Sequence, residues 1–345
     1  MSLSKKEKIM IKLAIVGLGH WGPNYLRIFS QINDCKIVAC VDCDESRLEN
    51  FKKIYPYVKF YRDVNELYKN EKTDAMIIAT PTSSHFSMAL QALQNSKHIL
   101  IEKPLALSIS ECMQLTQLAK EKNKILMVGH TFLYNDAVIW LKKYIQNGQA
   151  GRIYYIYATR TNLGPIRQDV NSLIDLSPHD ISIFLYLLDK KPKAVSAHGA
   201  SFLNNQREDV AFLTLYFDEG IVGHIHVSWL DPRKVRQITV IGDKKMILFD
   251  DINPFEPIRI YDKSVKQQKE YSDYSEFKTI LYEGDVVIPK IYLSEPLKNQ
   301  CKEFLASIHK PTTPLSDGNF GTEVSNVLIG AMKSLNQKGT IVSLS

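Results

Sequence analysis

An apolar run, Lys12-Leu13-Ala14-Ile15-Val16, opens directly onto Gly17-Leu18-Gly19-His20-Trp21-Gly22, and a second apolar run ends at Asp42, twenty residues beyond Gly22. Few segments constrain a fold so tightly. The first glycine lets the chain turn sharply out of a strand, the second lets the main chain approach a pyrophosphate, and the third lets the next helix pack against that strand. Backbone N–H groups at the helix N-terminus then face the phosphates, and a carboxylate at the end of the second strand accepts the ribose hydroxyls. Gly17, Gly19, His20, Trp21, Gly22 and Asp42 are therefore expected to bind a dinucleotide.

Asp42 puts a negative charge where NADP would carry its 2′-phosphate, and Cys43-Asp44-Glu45-Ser46 offers no cation beside it. Arg47 follows five residues on, with Asp44 and Glu45 around it. The expected cofactor is NAD in preference to NADP.

Nearly continuous apolar runs at 11–16, 36–41, 74–79, 97–101 and 125–129 read as strands buried on both faces of a parallel sheet. Helical patterns at 21–31, 45–54, 63–69, 84–95 and 108–122 separate them, with Asp44 or Ser46, Ser83 or Ser84, and Ser108 as caps. The alternation predicts an α/β fold with an N-terminal Rossmann-type, doubly wound parallel sheet over residues 1–131. Residues 132–345 are expected to form an α+β domain with a large, mainly antiparallel sheet. Its strands fall at 152–161, 194–201, 210–217, 221–229, 236–241 and 245–249, with hairpin turns at Asp218-Glu219-Gly220 and Gly242-Asp243. One helix is expected at 178–189, two more at 294–308 and 320–337, and a long loop over 263–293.

The chain has 345 residues, 45% hydrophobic and 23% charged, which suits two globular domains. Its 43 basic and 37 acidic residues are spread along the chain, apart from Lys5, Lys6 and Lys8, so nucleic-acid binding is not indicated. No apolar stretch reaches membrane-spanning length and no signal-peptide core is evident, so a cytoplasmic location is expected. Five scattered cysteines suit a reducing compartment. Cys40-Val41-Asp42-Cys43 spells C-x-x-C but lies at a strand end without a second ligand pair, and His224 and His226 share one strand face without a third ligand. No metal site is expected.

Two further constellations carry chemistry. Lys103, in Ile101-Glu102-Lys103-Pro104, closes an apolar strand at the ligand-binding rim, where an ammonium can stabilise a developing alkoxide. Asp175-Leu176-Ser177-Pro178-His179-Asp180 places a carboxylate and an imidazole four apart. A continuous helix would put both on one face, but Pro178 favours a helix starting there with Ser177 as cap, which leaves Asp175 ahead of it. Beside a carboxylate His179 is a poised base. His130, Tyr134, Arg160, Asn162, Arg167 and Trp229 lie near the expected domain junction and are candidates for holding a sugar or its phosphate, with His130, Arg160, Asn162 and Arg167 foremost.

The glycine loop, Thr80-Pro81 with His85, Glu102-Lys103-Pro104 and the Asp175, His179 pair together resemble the Gfo/Idh/MocA oxidoreductases, over essentially the whole chain. The resemblance implies an NAD-dependent dehydrogenase that oxidises a secondary hydroxyl of a sugar, cyclitol or nucleotide sugar. It makes Lys103 and His179 the catalytic pair and Asp175 the partner of His179, and it lines the cofactor with Thr80, Pro81, His85, Glu102 and Lys103. It also implies a homodimer or homotetramer through the second domain's sheet. The chain departs from the usual D-x-G-x-H by Ser177 and Pro178. A relative that retains NAD and hydrolyses glycosides, and a non-catalytic NAD-binding regulator, are the alternatives.

Overall fold

The computed structural model describes residues 10–167, 169–203, 207–269 and 277–344. The Lys5, Lys6, Lys8 cluster lies outside them. In chain order the elements are β1 (Ile11–Val16), α1 (Gly22–Phe29), β2 (Cys35–Val41), α2 (Glu45–Ile54), β3 (Lys59–Tyr61), α3 (Val64–Asn70), β4 (Ala75–Ile78), α4 (His85–Gln94), β5 (His98–Ile101), α5 (Ile109–Glu121) and β6 (Leu126–Val128). There follow α6 (Asp136–Gln146), β7 (Ile153–Leu163), α7 (Ser172–Leu188), β8 (Ala194–Ala200), β9 (Val210–Tyr216), β10 (Val222–Ser228), β11 (Leu230–Gly242) and β12 (Met246–Asp250). The last are β13 (Ile258–Lys269), β14 (Phe277–Val287), α8 (Pro296–His309), α9 (Gly318–Asn336) and β15 (Val342–Ser343).

The chain forms two compact units, residues 1–134 with 295–325 and residues 135–294 with 326–345. In the first, the described strands make one six-stranded sheet in the order β3-β2-β1-β4-β5-β6. All its pairs are parallel. This is the doubly wound sheet expected, with its order reversing between β1 and β4, where such sheets bind ligands. Leu13, Ala14, Ile15, Met76, Ile77, Ile78, Leu100 and Ile101 are buried, as strands covered on both faces require. Side-chain caps start most of the helices: Asp44 accepts from the Ser46 and Arg47 N–H groups, and Ser108 from the Glu111 N–H. Strand β3 is only three residues long and had no sequence signal.

In the second unit nine described strands form a sheet in the order β14-β13-β12-β11-β7-β10-β9-β8-β15. It is antiparallel except for the β7–β10 pair, which is parallel. The turns at 218–220 and 242–245 join β9 to β10 and β11 to β12, as the sequence indicates.

Two expectations are corrected. The loop expected over 263–293 is largely the hairpin of β13 and β14, with Val265 opposite Leu281 in register; residues 270–276 lie outside the described part. The helix expected to begin at Pro178 begins at Ser172, capped by Asn171, whose side chain accepts from the Ile174 N–H at 3.0 Å. Pro178 is inside it. Ser177 caps nothing, because its hydroxyl donates back to the Leu173 carbonyl at 2.7 Å. None of the helices among the described residues is long and apolar enough to cross a membrane.

Candidate active site

Gly17 follows β1 with φ +92°, and a Cβ there would stand 2.6 Å from the Ala79 carbonyl oxygen, so only glycine fits. Gly22 opens α1 so close to the loop that a Cβ would lie 1.9 Å from the Gly17 carbonyl oxygen. Above Gly19 there is room: the nearest atom to a Cβ would be Arg47 Nη1 at 3.8 Å. Trp21, at the start of α1, makes no side-chain capping bond. Open space at Gly19 and an uncapped helix N-terminus are what a bound pyrophosphate needs.

Asp42 ends this wall. Its carboxylate is buried and accepts the Leu18 N–H at 2.6 Å on Oδ2 and the Asp44 N–H at 2.8 Å on Oδ1. Each oxygen keeps a lone pair for a ribose hydroxyl. The expectation of no cation beside Asp42 is corrected. Because α2 starts at Glu45, Arg47 folds back over the loop, with Nη1 3.5 Å from Asp42 and Nε 3.3 Å from Asp44. These residues fit NAD.

Across the β1–β4 switch point, Thr80 and Pro81 follow β4, and the Ser84 hydroxyl donates to Thr80 Oγ1 at 2.8 Å. His85 is buried, with Nδ1 2.7 Å from the Pro104 carbonyl and Nε2 3.0 Å from the Thr80 carbonyl. Burial lowers its pKa, and a neutral imidazole has one N–H to donate, so it ties the two loops one bond at a time. His85 thus props the site from within.

Glu102 and Lys103 lie just past β5. Glu102 is buried and accepts from Tyr25 Oη at 2.7 Å and from the Lys103 N–H at 3.3 Å, and the Lys103–Pro104 peptide is cis. Lys103 itself is half-buried. His130 is buried edge-on to Phe320, 5.8 Å between ring centroids, and neither ring nitrogen has a hydrogen-bond partner among the described residues. Burial and then the charge of Lys103 lower its pKa to about 3, so it is neutral.

In the second unit, continuity of α7 through Pro178 puts Asp175 and His179 one turn apart on one helix face. Arg167 donates from Nη1 to Asp175 at 3.1 Å and grips Asp169 with Nε and Nη2. Asn162 Nδ2 donates to the Gly164 carbonyl at 2.6 Å. Arg160 is not placed as expected of a ligand-binding group. It is buried in β7, with Nε and Nη2 each donating to Asp180 at 2.8 Å, a bidentate interior pair. Trp229 Nε1 is buried without a hydrogen-bond partner among the described residues. The sequence reading missed Tyr25 and the pairing role of Asp180. A tyrosine at the fourth position of α1 and an acid next to His179 were the only signals.

Residues 11–130 match the oxidoreductase family with an NAD-binding Rossmann fold, and residues 138–248 match the GFO/IDH/MocA C-terminal domain. The chain belongs to the Gfo/Idh/MocA oxidoreductase family. Among its relatives, scyllo-inositol 2-dehydrogenase (NAD(+)) of Bacillus subtilis is 32% identical over 64% of this chain and 68% of its own length. The Myo-inositol 2-dehydrogenase of Thermotoga maritima is 24% identical over 96% of this chain and 98% of its own. The solved UDP-N-acetylglucosamine 3-dehydrogenase of Acidithiobacillus ferrooxidans superposes with a TM-score of 0.80 at 22% identity, covering 96% of this chain and 99% of that one. In this Gfo/Idh/MocA chain, then, residues 11–130 of the first unit are the NAD-binding Rossmann fold.

Proposed function

We propose that this chain is an NAD-dependent dehydrogenase that oxidises a secondary hydroxyl of a sugar, cyclitol or nucleotide sugar to a ketone. The observation that carries the reading is the Asp175, His179 pair on one face of α7 in a chain whose β5 leads directly into Glu102-Lys103-Pro104. Relatives named as inositol 2-dehydrogenases support the substrate class.

Bound NAD supplies the hydride acceptor. His179 takes the hydroxyl proton as general base, and Asp175, itself held by Arg167, orients the imidazole and stabilises the imidazolium. The Lys103 ammonium hydrogen-bonds the reacting oxygen and offsets its growing negative charge. Thr80, Pro81, His20 and Trp21 line the cofactor, while His85 and Glu102 hold its surroundings. His130, Asn162 and Arg167 serve the substrate. Arg160 is left out, because its guanidinium is buried in the interior against Asp180, whereas Arg167 is partly exposed.

Cofactor binding belongs to the first unit, and self-assembly to the second, which also carries Asn162, Arg167, Asp175 and His179. The outer face of the nine-stranded sheet exposes Tyr155, Tyr157, Phe212 and Val222, with Tyr155 stacked on Tyr157 and Phe212 on His226. We assign it to a second copy of the chain, in a homodimer or homotetramer. A single mass in light scattering that falls to the monomer in Tyr157→Glu supports this. Five free thiols support a reducing, cytoplasmic setting.

The test is NADH formation over a panel of inositols, free hexoses and UDP-sugars. Turnover of one class, lost by orders of magnitude in Lys103→Met and His179→Ala with NAD affinity retained, is expected. Release of free sugar without net NADH, or near-normal turnover in both variants, overturns the reading.

A further inference from the structure

Tyr25 stands three residues past Gly22, in the helix whose N-terminus faces the cofactor phosphates, yet its ring is wholly buried. Its hydroxyl donates to Glu102 Oε1 at 2.7 Å, and Glu102 Oε2 accepts the backbone N–H of Lys103 at 3.3 Å. Glu102 is fixed from two more sides. Its own N–H donates to the Ile78 carbonyl at 2.9 Å, and Gly129 lies so close that a Cβ there would stand 3.2 Å from the Glu102 carboxyl carbon. A buried carboxylate needs donors to stay ionised, and a phenol gives a charge-assisted bond. Burial and then the Glu102 charge raise the Tyr25 pKa well above the usual phenol value, so the hydroxyl remains a donor.

We propose that Tyr25 is a positioning residue for Lys103, acting through the Glu102 carboxylate. It ties the helix that receives the cofactor to the backbone that presents the ammonium. The inference rests on the assignment of Lys103 to the chemistry. Without the Tyr25 hydroxyl, Glu102 loses a donor in a buried place and takes up a proton at higher pH. Its hold on the Lys103 N–H weakens, and the backbone that presents the ammonium is less firmly placed.

The experiment compares full-length wild type, Tyr25→Phe, Glu102→Gln and Lys103→Met. Turnover is followed with whichever of scyllo-inositol, myo-inositol and UDP-N-acetylglucosamine the wild type oxidises, and NAD affinity is measured by calorimetry. An infrared pH titration of the protein without substrate reads the Glu102 carboxylate band, identified by its absence in Glu102→Gln. In Tyr25→Phe we expect kcat to fall by roughly tenfold or more. NAD affinity should stay within about twofold, since a positioning role leaves ground-state binding alone. The acid limb of kcat and the Glu102 band should both move to higher pH. Wild-type kcat with an unmoved acid limb overturns the inference, as does a loss matched in full by weaker NAD binding. Lys103→Met separates the two levels: an active Lys103→Met removes the underlying assignment, whereas an inactive one beside a normal Tyr25→Phe removes only the role of Tyr25.

Discussion

The α-carbon of Gly22 rests against the carbonyl of Gly17, leaving 1.9 Å where a Cβ would have to stand. Gly22→Ala is therefore expected to displace α1, lowering both the melting temperature of the cofactor-free protein and its NAD affinity. At Gly19 a methyl group would meet only Arg47 Nη1 at 3.8 Å. Gly19→Ala should leave the cofactor-free melting curve unchanged and weaken NAD binding alone. Calorimetric titration beside thermal unfolding checks both, and an intact melting curve in Gly22→Ala would refute the packing argument.

Asp42 is expected to set the choice of cofactor. Its carboxylate excludes a 2′-phosphate, while Arg47, 3.5 Å away, is already placed to receive one. Asp42→Ala should weaken NAD by roughly tenfold, the value of a lost hydrogen bond to a charged acceptor. It should also narrow or reverse the preference over NADP. Titration of both dinucleotides decides, and an unchanged ratio contradicts it.

Arg160 and Asp180 form a buried pair, and breaking it from one side leaves a bare charge in the interior. Arg160→Met should cost about 3–5 kcal/mol of stability, and Arg160→Met with Asp180→Leu much less. Denaturant melts of the two variants give the comparison. If Arg160→Met instead keeps its stability and raises KM alone, Arg160 is a ligand contact after all.

Mild acid should destabilise the Rossmann unit through His98. Its Nδ1 accepts the Ile125 N–H at 3.0 Å, and burial, helped by Lys124, lowers its pKa to about 4. The folded protein therefore holds His98 neutral while the unfolded chain protonates it near 6.5. Stability is full above pH 6.5 and declines as pH falls toward 4, by roughly 1.4 kcal/mol per unit from this group. His130, with its pKa lowered to about 3, acts in the same direction over a wider range. His98→Gln should flatten the pH dependence of the denaturation midpoint between 6.5 and 4, and an unaltered slope would show that His98 is not its source.

The Rossmann half was legible because strands buried on both faces have no choice but to be apolar, and because Gly17 and Gly22 answer to sterics that only glycine meets. The place of Lys103 just past β5 was legible from the apolar run that precedes it. Other features left weaker traces. Strand β3 is too short for a period, and β13 and β14 are rich in charged and polar residues, with the described end of β14 exposed throughout, so no apolar alternation marks them. Pro178 signals a helix start by its missing N–H, but Asn171 had already begun the helix, and the Ser177 hydroxyl bonds within it. The pairing of Arg160 with Asp180, twenty residues apart, depends on α7 packing on the sheet. The return of 295–325 to the first unit likewise has no local signal.

The residue after His179 is thus bolted into the protein's interior by Arg160, while Asn162 stands near the end of β7 and Arg167 on the partly exposed chain just past it. On the proposed function, changes at Asn162 and Arg167 would alter substrate contacts without unsettling the interior pair that anchors the helix of His179. A designer seeking a new substrate has the same freedom, and should begin at Asn162 and Arg167 and leave Arg160 and Asp180 alone.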